Sequence, residues 1–197
     1  MIGDWNILIP LLATLDNVKK EIKFDRMRGK VFPKSELVFN AFAQCPYDKL
    51  KVVIVKQSTY ADDYNDGLAF SQSSYSQANR SSNNFIEAMD NQFTEYGSFP
   101  FPENDLTYLA KQGVLLLNRE LTISDTRKHD FWIPFTNEVI KLIQQKNPDV
   151  FFIIFGASDL IPIITNCYYH FPTMQDYKES DCYVKINKEL KEPIKWI

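Results

Sequence analysis

The chain reads as an α/β protein, a three-layer α/β/α sandwich around a central, mainly parallel four-stranded sheet. Two observations predict this. The runs Val52–Val55, Val114–Leu117 and Val150–Phe155 are short, unalternating and rich in β-branched or aromatic residues, the pattern of strands buried on both faces. Helical stretches separate them, and strands that alternate with helices pair in parallel through crossover connections. Cys167–His170 is a weaker fourth strand.

Residues 1–30 predict an N-terminal helical segment, with Lys19, Lys20, Lys23, Arg26, Arg28 and Lys30 on its solvated face. Ile7–Leu15 is apolar but interrupted by Pro10, follows Asp4 rather than a basic stretch and lacks a small-residue cleavage site. It is expected to be neither a signal peptide nor a membrane span. After the first strand, the Ser/Gln/Asn-rich tract from Ser71 to Asn84 reads as a loop. Asn84–Phe93 then predicts a helix, with Phe85, Ala88, Met89 and Gln92 at three- and four-residue spacing. Pro100 and Pro102 punctuate a second loop, and Asn104–Lys111 predicts a short helix. Between the second and third strands, Trp132–Gln145 carries Phe135, Val139, Leu142 and Ile143 on one helical face. No repeat or linker divides the chain. With 197 residues, 45% of them hydrophobic and 14% aromatic, a single domain over 1–197 can bury its own core.

A net charge of −3 argues against a broad basic surface as the source of nucleic-acid affinity, because neutralising phosphates takes clustered Lys and Arg. The three cysteines, Cys45, Cys167 and Cys182, are odd in number and have no C-x-x-C spacing. Neither a disulfide framework nor a zinc or iron–sulfur site is suggested, so no metal or cofactor is expected, and a reducing cytoplasm is the natural compartment.

In open parallel sheets ligands bind beyond the carboxyl ends of the strands. That rule gathers Gln57–Tyr60 after the first strand, Asn118 after the second, Gly156–Ser158 after the third and His170 after the fourth. Asn118 offers both a donor and an acceptor to a ligand edge, although an asparagine there also suits a turn. Taken alone, Phe70 reads as a core aromatic, and His170 beside Tyr168, Tyr169 and Phe171 reads as a structural histidine.

Two blocks carry more. K-Q-S-T-Y from Lys56 followed by G-L-A-F-S from Gly67, and L-A-K-Q-G-V-L-L-L-N-R-E-L-T from Leu109, resemble the family 1 uracil-DNA glycosylases. The first motif of that family runs G-Q-D-P-Y-H and its second ends L-L-L-N-x-x-L-T. Further likeness lies in V-F-P-K-S-E-L-V-F-N-A-F from Val31, Phe135-Thr136, Phe155-Gly156, Lys185 with Asn187, and P-I-K-W from Pro193. The resemblance runs from about Val31 to Trp196 and implies the fold read above.

It also implies roles. Gln57, Tyr60, Phe70 and Asn118 match base-binding positions, and His170 matches the histidine that donates to the departing base. Met174 stands where the family has a leucine wedge. The catalytic aspartate is replaced by Ser58, which carries no charge and needs a neighbouring base to act. Lys56 replaces a glycine, Thr59 a proline and Ala61 a histidine. The proline-rich clamp has become Gln72–Ser82, and Glu179 and Asp181 place negative charge just after the wedge. Asp62, Asp63 and Asp66 lie on the same loop as Ser58 but read as a solvated acidic turn rather than as a replacement carboxylate.

Two functions follow from the resemblance. One is a noncatalytic module that binds uracil-containing or single-stranded DNA, or that joins protein partners in a larger assembly such as a virus particle. The other is an active but weak or retargeted uracil-DNA glycosylase of base-excision repair.

Overall fold

The structure is a computed structural model that describes residues 2–73, 80–93, 104–164 and 168–197. Its centre is a four-stranded, wholly parallel sheet built from β2 (Val52–Ser58), β3 (Val114–Glu120), β5 (Phe151–Phe155) and β6 (Tyr168–Phe171) in the order β3-β2-β5-β6. Val52–Val55 and Val114–Leu117 are wholly buried at every consecutive residue, so both sheet faces are covered and the unalternating runs are explained. A separate antiparallel pair joins β1 (Val31–Phe32) to β4 (Ile123–Ser124), a feature the apolar runs did not announce.

Helices supply the outer layers of this three-layer α/β/α sandwich: α1 (Ile9–Leu12), α2 (Asp16–Arg28), α3 (Asn40–Gln44), α4 (Arg80–Asn91), α5 (Thr107–Ala110), α6 (Ile133–Lys146), α7 (Met174–Lys178) and α8 (Cys182–Glu189). Along α4, Phe85, Ala88 and Met89 are buried, and along α6, Phe135, Val139 and Ile143 are, as their spacing predicts. The helix expected over Asn104–Lys111 shrinks to α5. Asp105 accepts the Thr107 N–H at 2.8 Å before its start, and Gly113, at φ +95°, ends the turn after it. A side chain at Gly113 is excluded, because a Cβ would lie 1.9 Å from the Lys49 carbonyl oxygen.

The basic residues of α2 are exposed apart from the partly buried Arg26, as expected of a solvated face. Its buried side holds Asp25, which accepts from Arg127 Nε at 3.0 Å and lies 2.9 Å from His129 Nε2. Trp132 Nε1 donates to Thr122 Oγ1 at 2.7 Å, which leaves the threonine hydroxyl to donate to His129 Nδ1, also at 2.7 Å. This fixes the tautomer: His129 carries its proton on Nε2, facing Asp25. The network docks α2 onto the chain that follows β3, and burial pushes the His129 pKa down against the pull of Asp25. Among the described residues, no helix is long and apolar enough to cross a membrane.

The core makes a direct prediction. Ile153→Ala, at the wholly buried middle of β5, should lower stability by about 2–5 kcal/mol in chemical denaturation, because the sheet cannot collapse around the lost volume.

Candidate functional site

The sequence places the candidate residues just beyond the strands, and the structure corrects this. Gln57 and Ser58 are the last two residues of β2, Asn118 lies inside β3, and His170 lies inside β6. Polar residues continue these strands because they still pair: Lys56 with Asn118, and Ser58 with Glu120. Alternate residues of a strand face the same way. Lys56, Ser58, Asn118 and Glu120 therefore form one four-cornered patch on one face, at the carboxyl end of the central strand pair.

Ser58 Oγ donates to Glu120 Oε2 at 2.8 Å, and Gln57 Nε2 donates to Glu120 Oε1 at 3.0 Å. Glu120 is buried, and sequence reasoning missed it. The signal available in the sequence was a carboxylate two residues past Asn118, on the same strand face. Asp62, Asp63 and Asp66 serve that loop instead. Asp62 accepts from Gln72 Nε2 at 2.9 Å, Asp63 meets Lys30 at 3.4 Å, and Asp66 accepts from Ser71 Oγ at 2.5 Å and from the Leu68 N–H at 2.9 Å.

Arg119 was missed as well. Its buried guanidinium makes a bidentate pair with Asp159, at 2.8 and 2.7 Å, and donates to Gln57 Oε1 at 3.0 Å and to Asn137 Oδ1 at 3.1 Å. Gln57 thus spends its amide on Arg119 and Glu120, bracing the site rather than presenting an edge to a ligand.

Lys56 lies on the pocket side with its ammonium 3.8 Å from the Tyr60 ring centroid and 5.7 Å from that of Phe70, and it donates to the Ser58 carbonyl. Burial pushes its pKa down to about 7, against the opposing pull of Asp62 and Glu120. Tyr60 is buried beside Ser81, and burial raises its hydroxyl pKa. Phe70 stacks on Phe85 at 4.2 Å with an 8° interplanar angle and meets Phe155 edge-on at 4.8 Å. Its backbone is left-handed, at φ +63°, held by Ser82 Oγ donating to the Phe70 carbonyl at 2.6 Å. Strain of this kind costs on the order of 1–3 kcal/mol and persists only where the surroundings impose it.

Asn118 is buried, and its Oδ1 finds no hydrogen-bond partner among the described residues. Strand order puts His170 two strands from β2, where its Nε2–H donates to the Gly156 carbonyl at 2.7 Å with Ser158 Oγ at 3.5 Å. Met174 opens α7 half-buried against the core, behind a capping box formed by Thr173 and Asp176. The structure therefore gathers Gln57, Ser58, Tyr60, Phe70 and Asn118, adds Lys56 and Glu120, and leaves His170 two strands away on β6 and Met174 at the start of α7. Cys167 and the middle of the Gln72–Ser82 tract lie outside the described residues. Among the described residues, no group of His, Cys, Asp and Glu is placed to hold a metal ion.

No family model matches the chain. It is 37% identical over 150 residues to the uracil-DNA glycosylase of Streptococcus mutans, covering 73% of this chain and 67% of that protein. It is 34% identical over 155 residues to the uracil-DNA glycosylase of Campylobacter curvus, covering 75% and 66%. The chain thus spans about two thirds of the length of the curated relatives it matches. Among solved structures, mimivirus uracil-DNA glycosylase superposes with a TM-score of 0.73 at 16% identity, over 99% of this chain and 87% of that one. UNG from Nitratifractor salsuginis gives 0.65 at 16% identity, over 89% and 85%. At these identities the solved structures speak to the fold.

Lys56 makes stability depend on pH. Unfolded, it keeps its proton to about 10.5; folded, it releases it near 7, so between those values the unfolded chain binds more protons and stability rises with pH. Below 7 both states are charged and the contribution is flat. Lys56→Met should raise the melting temperature more at about pH 6 than at about pH 9, and a gain independent of pH would place the ammonium in water instead.

Proposed function

Because the chain belongs to the uracil-DNA glycosylase family, we propose that it reads a uracil turned out of DNA and hydrolyses the bond joining that base to its sugar, more slowly than a site holding the aspartate. The observation that carries this reading is the buried Asn118 amide oxygen, without a hydrogen-bond partner among the described residues, on the strand position opposite Lys56 and next to the Ser58–Glu120 pair. A buried acceptor without a partner costs about 1–3 kcal/mol, and the imide edge of a uracil would supply the N–H it lacks.

Chemistry at this bond needs help for a base leaving with the bonding electrons and for a sugar left positive. Asn118 and the Lys56 ammonium face the departing base, and Tyr60 and Phe70 shape its pocket. On this reading His170 exchanges its bond to Gly156 for one to the base when DNA closes the crevice, and Met174 takes the place of the extruded base in the stack. The DNA partner and the repair role rest on the relatives. A cytoplasmic location remains the expectation from cysteine usage.

A second reading has its own observation. The Ser58 hydroxyl is neutral and turned toward Glu120, while Lys56 fills space that a glycine would leave open. These features favour a noncatalytic module that holds uracil-containing or single-stranded DNA, or that joins a larger assembly.

Release of free uracil from a single-stranded uracil-containing oligonucleotide, at protein in excess and low salt, separates the two. The proposal expects slow release; none, with retained binding, selects the module. In either case Asn118→Ala should remove the preference for uracil-containing over thymine-containing strands, by about 10-fold if two hydrogen bonds are lost. Equal binding of both strands by the wild-type chain would end the base-reading proposal.

A further inference from the structure

The family's charge is missing from β2, yet a carboxylate stands at the neighbouring corner of the same ladder. Glu120 pairs in register with Ser58, is buried, and accepts the Ser58 hydroxyl proton at 2.8 Å and a Gln57 amide proton at 3.0 Å. Resting on the glycosylase reading, we infer that Glu120 supplies from β3 the negative charge that β2 has lost, with Ser58 as the relay between that charge and the reacting water.

The arrangement is that of a hydroxyl activated by an adjacent base. Ser58 alone has neither the charge to balance a cationic sugar nor the basicity to take a proton. Bonded to Glu120, its oxygen is polarised and its lone pairs are left to accept from a water in the crevice. In the step, the bond from the sugar carbon to the base nitrogen breaks and its electron pair leaves on the base. The water oxygen bonds to the sugar carbon, its proton passes to Ser58 Oγ, and the Ser58 proton passes to Glu120 Oε2. Glu120 later returns that proton to solvent, and the base anion takes one up, so atoms and charge balance.

The geometry holds Glu120 in place from two directions. Gln57 clamps the Glu120 carboxylate, and Arg119 clamps Gln57 from the other side while itself held by Asp159. The titratable groups that feel the field of Glu120 are the Lys56 ammonium and the neutral His129 ring. A buried carboxylate held on two sides is preorganised, and preorganised charge is what stabilises a transition state. Glu120 is a positioning residue in this scheme, since it acts through Ser58.

The test is single-turnover uracil release by the full chain, with affinity for the uracil-containing strand measured in parallel. Glu120→Gln keeps the shape and removes the charge: its amide oxygen still accepts from Gln57, while its N–H donates to Ser58 Oγ where the carboxylate accepted. It should slow release by about 10²–10³-fold while changing affinity by less than about threefold. Ser58→Ala should give a loss of the same order, and adding it to Glu120→Gln should cost little more, because two parts of one relay are not additive. Ser58→Asp in the Glu120→Gln background should restore release. Ser58→Asp alone should gain less, because it sets a second carboxylate against Glu120.

Release by Glu120→Gln within about threefold of wild type would overturn the inference and leave the glycosylase reading standing. So would a loss in Glu120→Gln that Ser58→Asp fails to rescue, since the residue would then serve the fold; if Glu120→Gln does not fold, an unimpaired Ser58→Ala decides the same way. No release by wild type would overturn the glycosylase reading, and this inference with it.

Discussion

The parallel register of β2 and β3 is the constraint on which this site depends. It sets Lys56 beside Asn118 and Ser58 beside Glu120, so the chemistry available at the crevice is decided by which residue sits opposite which. A one-residue slip would turn Asn118 and Glu120 to the opposite face and bring Arg119 into their place. The register is held by four apolar pairs below it, Val52 with Val114 through Val55 with Leu117, all wholly buried. It is held from the side by the Ala69 N–H, which donates to the Leu116 carbonyl at 3.0 Å and so pins the Phe70 loop to the same ladder.

Above that register lies the buried guanidinium of Arg119, paired with the exposed carboxylate of Asp159. Taking the guanidinium out of water costs several kcal/mol, and only close geometry with every donor satisfied repays it. Arg119 comes near that condition through its fork to Asp159 and its bonds to Gln57 and Asn137, although its Nε has no partner among the described residues. These bonds tie the ends of β2 and β3 to α6 and to the turn after β5, which carries the left-handed Ala157 at φ +41° and lies beside His170. The two halves of the crevice are thereby joined through Arg119, a residue that faces away from the pocket.

The sheet was legible because its interior is monotonous. Runs such as Val52–Val55 read as strands buried on both sides, and motifs two segments long drew attention to Tyr60, Phe70 and Asn118, which the structure sets around Lys56 and the end of β3. What could not be read was anything that depends on pairing across the ladder. Glu120 and Arg119 sit in N-R-E, which by polarity looks like the end of a strand and the start of a loop. Only the partner strand shows that both are buried and bonded. The same holds for His129, whose partners Asp25 and Thr122 come from segments with no shared pattern. Asp62, Asp63 and Asp66 were visible as acids on the right loop, but their hydrogen bonds shape that loop and do not face Ser58.

Charge across the pocket then follows a consistent plan. Lys56 and Asn118 lie at one pair of corners, where a departing base would gather negative charge, and Ser58 and Glu120 lie at the other, where a sugar would turn positive. The Lys56 amine is held by the Tyr60 ring and the Ser58 carbonyl, and Glu120 by two neutral donors, so neither is directly paired with the other. An idle pocket gains nothing from burying two opposite charges that do not contact each other, since their desolvation is not repaid by a direct ion pair. Separated charges of this kind are favourable only when something between them carries the complementary dipole, and a glycosidic bond in the act of breaking is such a dipole.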